Sequence, residues 1–177
     1  TSSISVAPIN GPPNFVFDNN PASATRNTTA LIAAYDYVLS ILNQYPRDRL
    51  ETNFIIYFPA VAAGLNRGYV NNTIVYTGTT DEGENLQYIR FWGQNRNRIT
   101  VQLVDGAFGT TQKPVFSFVK GILNSLETKN SMRGITVNTG RNNSGATAIN
   151  LAGANGNYLT QVNAISGDGQ GKAGFRI

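Results

Sequence analysis

Met132-Arg133-Gly134-Ile135-Thr136-Val137-Asn138-Thr139-Gly140 and Val162-Asn163-Ala164-Ile165-Ser166-Gly167-Asp168-Gly169-Gln170-Gly171 decide the fold. Each is a short β-prone triplet closed by Gly, Asn or Asp. The two recur about one coil apart, within the roughly 20–50-residue periods that mark repeat architectures. Asn and Gly tolerate the left-handed backbone that a sharp corner needs. A strand, a corner and another strand, repeated, is the signature of a parallel β-helix in which each coil stacks on the last. That fold is expected to place Ile135, Val137, Val162 and Ile165 inside.

The same pattern extends upstream. β-prone runs fall at Asn53–Phe58, Asn72–Tyr76, Leu86–Phe91, Ile99–Leu103, Val115–Val119, Ala148–Leu151 and Tyr158–Ile165, and Gly, Asn or Asp separates nearly all of them. No helical pattern of about 10–15 residues lies between successive strands, which argues against a βαβ sheet. A sandwich would use longer alternating strands joined by hairpins. One helix is expected near the start. Leu31, Ala34, Tyr35, Val38, Leu42 and Tyr45 fall at helical spacing. Asn27, Thr28 and Thr29 offer N-cap oxygens before them, and Pro46 stops the pattern. Residues 1–20 carry Pro8, Pro12 and Pro13 and read as an extended arm, too apolar at Ile4, Val6, Phe15 and Phe17 for a free linker. The expected organisation is an arm over 1–20 and a single all-β domain over 21–177 whose helix caps one end.

Composition limits the chemistry. Only 14 % of residues are charged while 41 % are hydrophobic, which suits a turn-rich β-protein with a core rather than a disordered chain. There is no Cys and no His, so disulfides, thiolate metal sites, cysteine nucleophiles and imidazole bases are excluded. The net charge of +4 is spread out. Arg90, Arg96 and Arg98 beside Phe91 and Trp92 form its densest group, which reads as a solvated coil edge rather than a nucleic-acid footprint. No apolar run reaches the length of a membrane span. A start at Thr1 without Met or a leader fits an exported, processed protein or a fragment, and hence an extracellular or cell-surface setting.

Several segments resemble the pectate-lyase-like family of β-helix proteins. Thr29-Ala30-Leu31-Ile32-Ala33-Ala34 is similar to the segment that opens its first helix. Ile55-Ile56-Tyr57-Phe58-Pro59-Ala60 resembles the strand that follows, and Gly68-Tyr69-Val70-Asn71-Asn72-Thr73-Ile74 its continuation. Ile89-Arg90-Phe91-Trp92-Gly93-Gln94, Lys113-Pro114-Val115-Phe116-Ser117-Phe118 and Ser166-Gly167-Asp168-Gly169-Gln170-Gly171 come next in the same order. The family's tight turn after the Pro is replaced by an apolar loop over Ala60 to Asn66. The resemblance covers residues 28–177 and implies a right-handed parallel β-helix, of which the chain carries the N-terminal cap and first coils. The family's catalytic residues lie on later coils, so the resemblance implies association with polysaccharide and no catalysis by this chain alone.

Candidate site residues follow from their chemistry. Tyr69, Tyr88, Trp92 and Tyr158 are candidates for stacking on sugar rings, with core packing as the plainer reading of each. Glycoside hydrolysis needs two carboxyl groups about 5–10 Å apart. Asp105 and Asp168 are the pair to test, although Asp beside Gly is first a turn residue. Asp81, Glu82 and Glu84 form a polar cluster that calcium would use if it bound at all, and no other cofactor is indicated. Arg133 and Lys172 are the basic groups beside rungs that an elimination reaction would need. An uncapped solenoid end invites self-association. Ile4, Val6, Phe15 and Phe17 of the arm, with Phe175 and Ile177, are its assembly candidates. Three functions therefore stand: a polysaccharide-associated module, a self-assembling fibre or sheath subunit, and a complete carboxylate-dependent glycoside hydrolase or polysaccharide lyase.

Overall fold

Strand pairing in the computed structural model is almost entirely parallel and long-range. The structure describes residues 2–4, 15–42, 54–60, 66–75, 89–118, 130–151 and 157–176. The first elements are β1 (Ser2–Ile4), β2 (Phe15–Phe17), a short 3-10 turn at Pro21–Ser23 and α1 (Ala24–Leu42). Strands β3 (Phe54–Phe58), β4 (Asn66–Val70), β5 (Ile89–Gly93), β6 (Ile99–Leu103) and β7 (Lys113–Ser117) follow. The remaining strands are β8 (Ser131–Arg133), β9 (Thr136–Asn138), β10 (Ala146–Asn150), β11 (Tyr158–Thr160), β12 (Asn163–Ile165) and β13 (Ala173–Arg176).

These strands form three parallel sheets that the chain visits in rotation. The first sheet runs β3-β5-β8-β11, the second β4-β6-β9-β12 and the third β7-β10-β13. Ile74 bridges to Phe116, so the segment after β4 takes the third sheet's place in the first circuit. Met132 pairs with Leu159, Val137 with Ala164 and Ile149 with Phe175, so the last circuit closes in 26 or 27 residues.

Alternation along each strand sends every second side chain inward. On the first sheet the inward row is Ile56, Phe91, Met132 and Leu159; on the second it is Gly68, Val101, Val137 and Ala164. Ile56, Phe91, Met132, Val101 and Val137 are fully buried. The third sheet departs from strict alternation, with Val115 and Phe116, and Ala148 and Ile149, buried side by side. Phe91 joins the elements. Its ring meets Tyr35 and Phe116 edge-on at 5.3 Å, Phe118 at 5.6 Å and Phe58 at 6.4 Å. Each such ring pair contributes about 0.5–1.5 kcal/mol beyond area burial.

The helix begins earlier than the capping pattern indicates. Asn20 caps the 3-10 turn through its side-chain oxygen, which accepts from the Ala22 N–H at 3.0 Å. Asn27 and Thr28, read from sequence as cap residues, lie inside α1 and are buried. Their polar groups bond across to β4 and its exit. Asn27 Nδ2 donates to the Tyr69 carbonyl at 3.0 Å, and the Asn71 N–H donates to Thr28 Oγ1 at 3.0 Å. Leu31, Ala34, Tyr35 and Val38 bury the apolar face against the core. Tyr45 and Pro46 lie outside the described residues. The described parts of the arm are two short strands. β1 and β2 pair antiparallel, Ser2 with Phe17 and Ile4 with Phe15, and lie against β3 and β4 of the same chain. Val6 and Ile177 lie outside the described residues.

Corners carry the backbone cost. Gly134, between β8 and β9, has φ +66°, and a Cβ there would collide with the Gly93 carbonyl one circuit away. Gly140, leaving β9, has φ +69° against the Leu103 carbonyl. Asn143 lies buried beside it and uses all four hydrogen-bonding positions. Its Oδ1 accepts from the Phe108 and Gly109 N–H groups, and its Nδ2 donates to the Val104 and Thr139 carbonyls. This meets the rule that buried polar groups are paired.

One expected core residue is misplaced. Ile135 and Val137 are fully buried and Val162 packs against the core, but Ile165 is 47 % exposed. Gln161 turns the chain at φ +53°, and the strand after it points Ala164 inward, with Ile165 outward in the row of Asn138 and Gln102. No helix among the described residues is long and apolar enough to cross a membrane.

Val137→Asp would bury an unpaired carboxylate between Val101 and Ala164. It should destabilise the chain by about 4 kcal/mol or more. Asn138→Asp, at the neighbouring outward position, should have a far smaller effect. Thermal melting of both variants checks this; equal melting temperatures would contradict burial of the Val137 row.

Candidate functional site

The outward face of the first sheet gathers aromatic and basic side chains into adjacent rows. Strand alternation that buries Ile56, Phe91 and Met132 turns their neighbours outward. In-register pairing then fixes two rows: Ile55, Arg90, Ser131 and Tyr158, and beside it Tyr57, Trp92, Arg133 and Thr160. Successive members of a row stand about 4.8 Å apart. Tyr57 is 37 % exposed and Tyr158 40 % exposed, while Trp92 is half-buried. The Arg90 guanidinium lies 5.6 Å from the centre of the Trp92 ring and that of Arg133 5.9 Å. Both are within cation–π range, which fixes the indole in place. Trp92 Nε1, Arg90 Nε and Ser131 Oγ are buried without a hydrogen-bond partner among the described residues. The face thus combines exposed rings, a fixed indole and two guanidiniums whose donors recognise oxygen-rich ligands.

The sequence candidates separate on the structure. Trp92 and Tyr158 share this face. Tyr69 points outward from the second sheet, half-buried, in the row of Gln102, Asn138 and Ile165. Tyr88 lies outside the described residues, as do Asp81, Glu82 and Glu84, on which the calcium expectation rests. The basic group around Phe91 and Trp92 divides: Phe91 is core, Arg90 lies on the face, and Arg96 and Arg98 occupy the corner after β5. Arg133 lies over Trp92, and Lys172 precedes β13 on the third sheet. Tyr57 is not distinguished by the sequence as a surface residue. Its only signal is alternation within Phe54-Ile55-Ile56-Tyr57-Phe58, which reads equally as a continuous buried run.

Asp105 and Asp168 are brought to one corner, but as locks of its backbone. Asp105 Oδ1 accepts from the Arg141 N–H at 2.8 Å, and Asp168 Oδ2 from the Asn142 N–H at 2.7 Å. The other Asp168 oxygen accepts from the Gln170 N–H and from Ser166 Oγ. Two consecutive amides are therefore held by carboxylates from the circuits on either side, and Asn142 keeps φ +55° between them. The Asn142 and Gln170 N–H groups, in that order, hold the Asp168 carboxyl below its usual value of 3.8. Such a group stays ionised and is a poor general acid.

No protein-family model, curated protein or solved structure matches the chain.

A lowered folded-state value means that Asp168 stabilises the fold above the unfolded-state value and that this contribution is lost as pH falls through the folded value. Asp168→Asn should therefore melt below the parent chain at neutral pH, and the gap should close in acid, below 3.8. Melting curves from about pH 6 to about pH 2.5 check this; a gap that persists unchanged at the acid end would contradict the charge-based role.

Proposed function

We propose that the chain is a right-handed parallel β-helix module of the pectate-lyase-like type, acting outside the cell or at its surface. On this reading it holds a polysaccharide on the outward face of its first sheet and does not cleave it. The observation that carries the proposal is the placement of Tyr57, Trp92, Tyr158, Arg90 and Arg133 on a single β-face, with the indole fixed by two guanidiniums. Aromatic rings present flat apolar surface to the C–H faces of sugars, and the arginines supply donors for hydroxyl or carboxylate oxygens. A repeating strand surface suits a repeating ligand. The use of Asp105 and Asp168 as corner locks supports a binding role over the hydrolase or lyase reading.

Affinity electrophoresis in gels containing pectin, alginate or β-glucan tests the proposal. At least one polymer should retard the chain. Trp92→Ala and Tyr158→Ala should each lose most of that retardation, the second without a change in melting temperature because Tyr158 is exposed. No unsaturated or reducing ends should appear, with or without calcium. Free migration in every gel would contradict glycan binding, and product formation that disappears in Asp168→Asn would favour the enzyme.

Self-assembly is a second reading, favoured by the last described circuit. Phe175 continues the row of buried Phe116 and Ile149 yet is 43 % exposed. A subunit stacking there would cover it. Sedimentation should then show concentration-dependent association that Phe175→Glu abolishes; a monomer at all concentrations would exclude this reading.

A further inference from the structure

Asn-x-Ser/Thr, the acceptor motif for N-linked sugar, occurs at Asn27-Thr28-Thr29, Asn71-Asn72-Thr73 and Asn142-Asn143-Ser144. In so Asn-rich a chain the motif alone carries nothing, but the fold separates the three. Asn27 lies inside α1, fully buried, and its Nδ2 donates to the Asp18 carbonyl at 2.9 Å and to the Tyr69 carbonyl at 3.0 Å. A sugar there would replace one of these two donors and force α1 away from β4. Asn71 is half-buried. Its Nδ2 donates to Thr25 Oγ1 at 2.7 Å, and its Oδ1 accepts from Thr28 Oγ1 at 3.0 Å. The hydroxyl of its motif is committed too, since Thr73 Oγ1 donates to the Pro114 carbonyl at 2.7 Å.

Asn142 differs on each count. It stands exposed on the corner between β9 and β10, and Ser144 is exposed beside it. Neither the Asn142 carboxamide nor the Ser144 hydroxyl makes a hydrogen bond among the described residues. The backbone beneath them is pinned, with the Arg141 N–H on Asp105 and the Asn142 N–H on Asp168. A free amide is thus carried on a fixed turn. Room lies on both sides of it. Gly106 on the circuit before and Gly169 on the circuit after have no atom of the described residues within 4 Å of where a Cβ would stand. The corner joins the second and third sheets, so sugar attached there leaves the outward face of the first sheet uncovered.

We infer that Asn142 is the acceptor for an N-linked oligosaccharide and that Asn27 and Asn71 are unmodified in the folded chain. In the transfer, Asn142 Nδ2 forms a bond to C1 of the first sugar. The bond from C1 to the oxygen of a lipid-linked pyrophosphate donor breaks, the pyrophosphate leaves with the bonding pair, and one amide proton passes to a base of the transferase. The inference rests on the exported setting proposed above, and not on polysaccharide binding by the first sheet. Translation of the chain behind a cleavable leader into microsomes, which hold the transferase and donor, supplies that setting and tests the site. Enzymatic release of the sugar in isotopically labelled water converts each modified Asn to labelled Asp, which peptide mass mapping locates. Translocated chains should be modified at Asn142. The protease-resistant, folded fraction should carry no sugar at Asn27 or Asn71. Ser144→Ala keeps Asn142 and removes only the motif hydroxyl, so it should abolish modification with melting unchanged. Trp92→Ala should be modified like the parent, and free migration in every polysaccharide gel would leave the result as it is, so the two readings fail separately. An unmodified Asn142 in translocated chains, sugar at Asn27 or Asn71 in the folded fraction, or modification of Asn142 in Ser144→Ala would each overturn the inference.

Discussion

Each strand of the three sheets finds its backbone partners one circuit away rather than in the next segment of chain. A single circuit exposes both strand edges and half of its apolar side chains, so it gains little alone. The pairing of Phe91 with Met132, Val101 with Val137 and Phe116 with Ile149 brings like positions into rows and closes the core between the sheets. α1 completes this arrangement where Asn27 and Thr28 bond to β4 and its exit, while Tyr35 reaches the Phe91 ring.

The same register arranges the outer surface. A row that points into the core has its neighbouring row on the opposite face of the sheet, so Trp92 above Arg133, and Arg90 beside them, follow from the pairing that stacks Phe91 on Met132. The locks at the corner serve this register too. Asp105 and Asp168 hold the amides of Arg141 and Asn142 from two sides, and Asn143 fills the turn from within. Carboxylates that look catalytic in a sequence poor in acids are here part of the stacking.

Local signals made much of this legible. Gly134 and Gly140 mark corners because only a left-handed backbone closes them, and short β-prone triplets between such residues point to stacked parallel strands. What failed depends on distant partners or on unmarked turns. Gln161 adopts φ +53° without being Gly or Asn, and it sets the phase that sends Ile165 outward. Asn27 and Thr28 look like caps until Tyr69 and Asn71 are placed beside them. Trp92 and Tyr158 stand out in the sequence as aromatic candidates, but their shared face, with Tyr57, is set by pairing across four strands.

Register is therefore the quantity to measure, and the absence of Cys in the chain makes introduced thiols clean reporters. Gln102, Asn138 and Ile165 form one outward row on three successive strands of the second sheet. Neighbours in that row lie about 4.8 Å apart and ends of the row about 9.6 Å, on either side of the roughly 7 Å limit for a disulfide. Under mild oxidation, Gln102→Cys with Asn138→Cys, and Asn138→Cys with Ile165→Cys, should each lose their free thiols as monomers, while Gln102→Cys with Ile165→Cys should keep them. Closure of the 102–165 pair, or failure of both neighbouring pairs, would contradict in-register parallel stacking.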